Sequence, residues 1–225
     1  MRVVAVRTTA ALTVIMMLCV AVLQANAARE IEWKHLLPSL PPLKDPLENL
    51  TQDQRFDVET IDWARNLKDS DRHLVENQQG INDAQVYERQ FAKAGINVDQ
   101  LIVKYKSWLK AVEKRQKRVN SKLNGKSIRM AGYLLPLEFS EKGVNDFLLV
   151  PYVGACIHVP PPPPNQIVFV RLTKKFKITD LFTAVWINGT LKTRASSKRL
   201  TLVDGSADIA IGYHIDNGTA EIYRE

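Results

Sequence analysis

Residues 127–138 read SIRMAGYLLPLE, and at this point the hydrophobic pattern of the chain changes from helical to that of a β-strand. Ile128 and Met130 alternate with polar side chains, a period of two that places apolar groups on one face of a strand. The turn-forming pair Asn124-Gly125 precedes this stretch, and Gly132 allows a bend or bulge within it. The pattern predicts a strand that opens a β-rich second half of the chain.

Further short segments after this stretch also have the composition of strands. They are residues 147–152, 166–172, 184–191, 200–203, 207–216 and 219–223. The later ones are separated by the turn signals Asn188-Gly189, Asp204-Gly205 and Asn217-Gly218. Short strands in this number, with one longer insert between the middle ones, are typical of a small closed or partly open barrel. We expect an OB-like antiparallel β-barrel over residues 124–225.

The preceding part of the chain is predicted to be helical. Residues 51–123 contain no proline, and their apolar residues recur at helical spacing. Gly95 is a candidate C-cap of one helix, and Asp99 is a candidate N-cap of the next. The core face of that last helix is predicted to hold Ile102, Tyr105, Leu109, Val112 and Val119. Residues 28–50 contain four prolines and are expected to form an extended arm, so the fold class is α+β, with helices before the barrel.

Residues 1–27 have the three zones of a secretory signal peptide. Arg2 and Arg7 form a positive end, residues 10–23 are almost entirely apolar, and Ala25-Asn26-Ala27 matches a cleavage site. The apolar run is shorter than the ~20 residues that span a bilayer, which favours cleavage after Ala27 over a retained anchor. We therefore expect a periplasmic protein whose mature chain keeps a single cysteine, Cys156.

The net charge of +7 is distributed unevenly. Residues 44–99 contain seven basic and twelve acidic side chains, whereas residues 101–126 contain nine basic and one acidic. The resulting basic helix, residues 101–122, is predicted to contact anionic lipid headgroups or an acidic partner, or to be a solvated face of a packed helix. The acidic segment of the same chain is a further candidate partner. For the predicted barrel, export and the lack of aromatic residues in an exposed pattern between its lysines argue against oligonucleotide binding.

The segment with the most distinctive chemistry lies between two predicted strands. Cys156 and His158 precede the prolines at 160–164, which form a stiff extended rod. Side chains two residues apart in an extended chain project to the same side, so Cys156 and His158 can share one metal ion. Thiolate and imidazole suit zinc or copper, and Glu138 at the end of a strand is the candidate third ligand.

Two other interpretations of Cys156 remain open. In the first, it is a buried structural thiol beside a histidine that bonds to the backbone. In the second, it is a nucleophile with His158 as its base, although such a base usually comes from a distant segment, where His214 is the available barrel histidine. His35 and His73 are interpreted as surface or packing residues rather than ligands, and Tyr133 and Trp186 as barrel core.

The same blocks of sequence resemble a known bacterial family. GYLLPLE at 132–138, FLLVP at 147–151, Cys156-Ile157-His158 with the prolines and Asn165-Gln166, and VWINGTL at 185–191 are similar to the exported proteins designated DUF3299. The resemblance implies an envelope protein whose relatives lie beside transport systems of the ABC type, some of them linked to zinc supply. It carries no catalytic residues over to this chain. We therefore expect a binding or accessory protein with a soft-metal site, the alternative being a non-catalytic interaction module with a structural Cys156.

Overall fold

The computed structural model describes residues 28–137, 143–155, 161–178, 180, 182–202 and 205–224. Its elements there are helices α1 (Trp33–Leu36), α2 (Gln52–Asn66), α3 (Val75–Lys93) and α4 (Val98–Gln116), and strands β1 (Arg29–Glu30), β2 (Lys126–Pro136), β3 (Val144–Val150), β4 (Val168–Phe176), β5 (Thr183–Leu202) and β6 (Gly205–Ile222). Short 3-10 turns occur at Ser121–Leu123 and Pro164–Gln166. The chain divides into a sheet unit, residues 28–39 and 116–224, and a helical unit, residues 40–115.

The sheet unit is built on one six-stranded sheet, so the predicted α+β class is confirmed. The strand order is β1-β2-β3-β4-β6-β5, and β2 pairs with β5 as well as with β3. The β4–β6 and β1–β2 pairs are parallel, and the remaining pairs are antiparallel. The longest ladder joins β5 and β6, which extend beyond their pairing with β2 and β4.

Two of the predicted turns are bulges inside long strands. Asn188-Gly189 lies within β5 and Asn217-Gly218 within β6, and the register between these strands shifts between Asn188 and Thr190. Asn217 has a positive φ of 58°, which asparagine adopts more readily than most residues. A Cβ atom on Gly189 would collide with the Ile215 side chain. These residues therefore allow neighbouring strands to approach closely at a bulge. Glycine and asparagine occur at bulges as well as at turns, so the sequence pattern alone did not distinguish the two.

The main hydrophobic core lies on one face of the sheet. Its fully buried members come from every long strand: Ile128, Met130, Leu134, Phe147, Leu149, Val168, Val170, Val185, Ile187, Leu191, Tyr213 and Ile215. The prediction that Trp186 belongs to this core is wrong. Trp186 is one residue out of phase with Val185 and Ile187, so it lies on the opposite face, where it stacks on Tyr223 and carries the Arg129 guanidinium 4.3 Å above its ring.

The segment before the prolines is fastened to the sheet, and part of it is helical. The prediction of an extended arm is wrong for Trp33–Leu36, which form the single turn α1. Proline begins only at Pro38, so it removes no amide from that turn, and Leu37 before it is extended as expected. The indole Nε1 of Trp33 donates to the carbonyl of Ala131 in β2 at 2.9 Å.

In the helical unit, the helix boundaries follow capping chemistry. Thr51 accepts from the backbone N–H of Gln54, whose side chain in turn accepts from the Thr51 N–H. Gly95 ends α3 with a φ of 70°, as predicted. The N-cap of α4 is Asn97 rather than Asp99, because the Asn97 side chain accepts from the backbone N–H of Gln100 at 3.0 Å.

The helical unit has its own hydrophobic cluster. It contains Leu47, Val58, Ile61, Ala64, Ala84, Phe91, Val98 and Ile102. Leu109 was predicted to lie on the core face of α4 but is 43% exposed. The helix buries its N-terminal half, where Val98 and Ile102 meet this cluster, and Leu109 lies beyond that contact.

Part of the basic face of α4 pairs with the acidic segment of the same unit. Lys106 forms an ion pair of 2.6 Å with Asp62 of α2, and the Tyr105 hydroxyl donates to Glu59 at 2.7 Å. Arg115 donates to the carbonyls of Leu40 and Pro41 at 2.8 and 2.6 Å. These side chains therefore take part in intramolecular contacts. Among the described residues, no helix has the length and apolar character needed to span a membrane.

Candidate functional site

The three predicted metal ligands, Cys156, His158 and Glu138, lie outside the described residues. The described residues on either side of Cys156 and His158 show how this segment is attached to the sheet unit. In the part of the chain that is described, no three His, Cys, Asp or Glu side chains come together as a ligand group.

The residues immediately before Cys156 include two exposed side chains followed by one that is fully buried. Tyr152 and Val153 are 43% and 60% exposed, and Gly154 follows with a φ of 83°. Such a φ favours glycine and turns the chain sharply. Ala155, immediately before Cys156, is fully buried in a second hydrophobic cluster of the sheet unit. The chain is therefore anchored on the N-terminal side of the predicted ligand pair.

The residues that follow the proline run are anchored as well. Pro162 is buried, and Asn165 is buried to 98% while its side-chain amide donates to the carbonyl of Arg118 at 3.0 Å. The amide of Gln166 donates to the carbonyl of Trp33 at 3.2 Å. A Cβ atom on Gly212 of β6 would lie 2.7 Å from the carbonyl oxygen of Pro164, so only glycine allows this approach. The C-terminal end of the segment is thus packed on β6.

The second hydrophobic cluster connects these anchors to the distal part of the β5–β6 hairpin. It comprises Leu135, Leu148, Val150, Ala155, Ile167, Phe169, Leu200, Ile209 and Ile211. In β4, Phe169 is out of phase with the core residues Val168 and Val170, so in that strand the second cluster lies on the other face from the main core. A register shift between Thr193 and Ser196 marks where β5 changes its pairing with β6 and contributes Leu200 to this cluster.

His214 is the buried polar residue at the edge of that cluster. It pairs with Phe169 across β6 and β4, is 2% exposed, and has its ring centroid 5.2 Å from the Phe169 ring. Its Nδ1 lies 2.7 Å from the Arg194 guanidinium, and its Nε2 lies 2.8 Å from the Ser196 hydroxyl. Both ring nitrogens therefore have partners from β5.

Arg194 determines which nitrogen of His214 carries the proton. A guanidinium can only donate, so Nδ1 must accept from Arg194, and Nε2–H must then donate to the Ser196 oxygen. Ser196 cannot pass its proton to Nε2 in this tautomer. The pair therefore lacks the arrangement of a serine nucleophile and its general base.

The surroundings of His214 keep its ring neutral. Burial lowers the pKa of His214 to about 4, and the neighbouring positive charge of Arg194 adds to the effect, with smaller contributions from Lys198 and Lys192. Asp216 acts in the opposite direction. The pKa of Asp216 is itself lowered, first because Lys192 donates to its carboxylate at 3.1 Å.

Arg194 and Ser196 are functional candidates that the sequence does not predict, because residues 192–199 lie between the predicted strands 184–191 and 200–203. In the structure they belong to β5. Residues 192–199 are polar or small at every position, so they offer no apolar alternation from which a strand could be predicted. Of the other histidines, His35 accepts from the backbone N–H of Glu32 at 2.9 Å and His73 is exposed.

Comparison with known proteins identifies relatives without a described activity. Residues 33–221 match the family model described as "Protein of unknown function (DUF3299)". The chain is also similar to a DUF3299 family protein from Pseudomonas aeruginosa PAO1 with a crystal structure at 2.45 Å resolution. That similarity has 26% identity and a TM-score of 0.45, and it covers 88% of this chain and 99% of the other. No curated protein matches the sequence.

Proposed function

The chain belongs to the DUF3299 family, and we propose that it is an exported envelope protein that binds a soft metal ion. Cys156 and His158 are the proposed ligands, with Glu138 as the third, and zinc or copper is the proposed metal. Export is proposed from the leader-like residues 1–27. A role as an accessory of an ABC-type transporter rests on the resemblance described above.

The observation that carries this proposal is the anchoring of the ligand segment at both ends. Ala155 is fully buried before Cys156, and Asn165 is buried and hydrogen-bonded after the prolines. Ligands carried by a segment with restricted ends lose less conformational freedom when they bind a metal. A thiolate, an imidazole and a carboxylate together suit zinc with one position left for water or a transferred ligand, whereas thiolate and imidazole alone also suit copper(I).

We also propose that the sheet unit is an OB-like barrel. The strand order β2-β3-β4-β6-β5, with β5 returning to pair with β2, supports this proposal, as does the parallel pairing of β4 with β6. In such a barrel the proposed metal segment belongs to the connection between the second and third barrel strands. OB folds bind ligands largely through loops and one strand face, so a binding function suits this architecture.

Metal analysis of the untagged mature chain tests the metal proposal. We expect about one zinc or copper ion per chain, loss of that metal in Cys156→Ser, and retention in His73→Gln, which removes an exposed histidine elsewhere. The Cys156 thiol should react slowly with a thiol reagent, and its reaction rate should increase after the metal is removed by a chelator. Absence of metal from the wild-type chain, together with thiol reactivity that chelation does not change, would remove the proposal.

A second candidate function is a non-catalytic interaction module, and the exposed end of α4 favours it. Lys110 and Lys114 are exposed and form no ion pair with the described side chains, unlike Lys106. The proposed partner is an anionic membrane surface or an acidic envelope protein. In this function Cys156 is a structural thiol.

Charge reversal separates the two functions. The double variant Lys110→Glu with Lys114→Glu is expected to weaken sedimentation with anionic vesicles by about tenfold or more, because each basic residue near such a surface contributes about 1 kcal/mol. Lys68→Glu with Lys93→Glu, on exposed positions of the same unit, is the matched control. Equal losses in both variants would indicate a nonspecific charge effect, and no loss in either would exclude this surface.

A further inference from the structure

We propose that Arg194, Ser196 and Lys198 form a binding site for a phosphoryl group. The three residues lie in β5 at and just beyond its register shift, and their side chains meet His214 and Phe169. Arg194 and Ser196 are held by the two nitrogens of the His214 ring, and the Lys198 ammonium lies 4.8 Å from the centre of the Phe169 ring. Because the two rings are themselves in contact, the three polar groups converge on one area of the sheet.

The polar groups of Arg194, Ser196 and Lys198 that are not bonded to His214 are hydrogen-bond donors. Arg194 has five N–H groups, uses one on His214, and keeps a side chain that is 54% exposed. The Ser196 oxygen accepts from the Nε2–H of His214, so its own hydroxyl hydrogen remains available for donation. Lys198 adds an ammonium with three N–H donors. A ligand that satisfies all three groups must supply several acceptor oxygens.

The charges around the site favour an anion. Asp216 lies 3.1 Å from Lys192 and 3.8 Å from Arg194, and Asp146 makes two hydrogen bonds of 2.9 and 2.6 Å to Arg171. Among the described side chains, Lys198 has no carboxylate within ion-pair distance. The low pKa of His214 agrees with this excess of positive charge, although its largest cause is burial.

The charge of the whole sheet unit points in the same direction. Its described residues include 16 lysines and arginines against 7 aspartates and glutamates, whereas residues 40–115 contain 12 against 13. The positive charge expected from the basic helix therefore resides mainly in the sheet unit. An anion that approaches the protein is attracted to this unit before it meets any specific contact.

Geometry selects a phosphoryl group among anions. A carboxylate offers two oxygens in one plane, whereas a phosphoryl group offers three oxygens arranged around phosphorus and can meet an arginine fork, a hydroxyl and an ammonium from different directions. His214 is neutral near pH 7, and its remaining N–H is already donated to Ser196, so it positions the donors rather than acting as one. The same group occurs in soluble phosphate esters and in lipid headgroups.

Titration of the full chain with inorganic phosphate, followed by NMR of the histidine side chains, tests the site. We expect saturable binding, a rise in the pKa of His214 on binding, and a dissociation constant weakened about tenfold or more in Lys198→Gln and in Arg194→Gln, since each loses a charge-assisted hydrogen bond. Lys93→Gln is the matched control on the helical unit. Lys198→Gln keeps both bonds of His214, so it remains informative if Arg194→Gln impairs folding.

Two further binding experiments distinguish a soluble phosphate ester from a lipid headgroup as the ligand. Binding of glycerol 3-phosphate, without sedimentation on phosphatidylglycerol vesicles, would identify a soluble ester. Sedimentation that is lost in Lys198→Gln but kept in Lys93→Gln would identify a lipid headgroup. The site is overturned if phosphate binds no better than chloride at equal ionic strength, or if Lys198→Gln and Arg194→Gln bind it as well as the wild type. Cys156→Ser should leave phosphate binding unchanged, which separates this site from the proposed metal site.

Discussion

Acidification from pH 7 to pH 4 is expected to destabilise the protein by about 2 to 3 kcal/mol more than it destabilises the His214→Gln variant. The pKa of His214 is about 4 in the folded chain, against 6.5 for an unperturbed histidine. Between these values the unfolded chain binds a proton that the folded chain does not. The contribution of neutral His214 is therefore complete above about pH 6.5, falls with pH, and is lost below about pH 4.

The physical cause of this pH dependence is the arrangement around the ring. Protonated Nδ1 would place an N–H against the N–H of Arg194, beside the charges of Lys192 and Lys198 and only partly offset by Asp216. The measurement is urea denaturation of the full chain at several pH values. His214→Gln removes the titrating group, whereas His73→Gln, at an exposed position, should retain the wild-type dependence. Parallel pH curves for the wild type and His214→Gln would contradict the assignment.

Tyr213→Phe is expected to lower the free energy of unfolding by about 2 to 4 kcal/mol, a large effect for the loss of one oxygen atom. Tyr213 is fully buried, and its hydroxyl donates to the carbonyl of Leu36 and accepts from the N–H of Asn120, both at 2.5 Å. Burial raises the pKa of Tyr213, so the hydroxyl keeps the proton that it donates. Phenylalanine fills the same space but leaves two backbone groups without their partner.

Tyr223→Phe provides the matched control for this prediction. Tyr223 is 39% exposed and stacks on Trp186 through its ring, so removal of its hydroxyl should change stability by less than about 0.5 kcal/mol. Urea unfolding of both variants gives the comparison. Equal stability of the two variants would mean that the Leu36 and Asn120 groups find other partners, and that Tyr213 does not fasten α1 and the start of the sheet unit to β6.

Local patterns predicted those parts of the fold in which local chemistry dominates. The turn at Gly95 was predicted because a positive φ favours glycine, and β2 was predicted because Ile128 and Met130 alternate with polar residues. Residues 192–199 could not be predicted as strand in the same way. Their side chains are polar or small on both faces, and only the pairing with β6 makes an extended conformation favourable there.

One candidate site could be identified from local sequence, whereas the other could be identified only from the structure. Cys156, His158 and the prolines were identified from residue types and spacing alone, since a thiol next to an imidazole and a rigid rod is distinctive without any structure. Arg194, Ser196 and His214 are separated by as many as 20 residues, and nothing in their local sequence indicates that they meet. The antiparallel pairing of β5 with β6, and the shift of register between Thr193 and Ser196, bring them together.

For this protein, local sequence was sufficient to predict the α+β class, the end of α3 at Gly95 and a set of candidate soft-metal ligands, because these predictions use neighbours within a few residues. Tertiary contacts determine that the Asn-Gly pairs form bulges within strands, that Trp186 lies outside the main core and that His214 is buried. Each of these depends on what packs against the residue across the sheet: Ile215 against Gly189, Arg129 above Trp186, and Arg194 beside His214. Such contacts join distant parts of the chain, and their energies are absent from any local pattern.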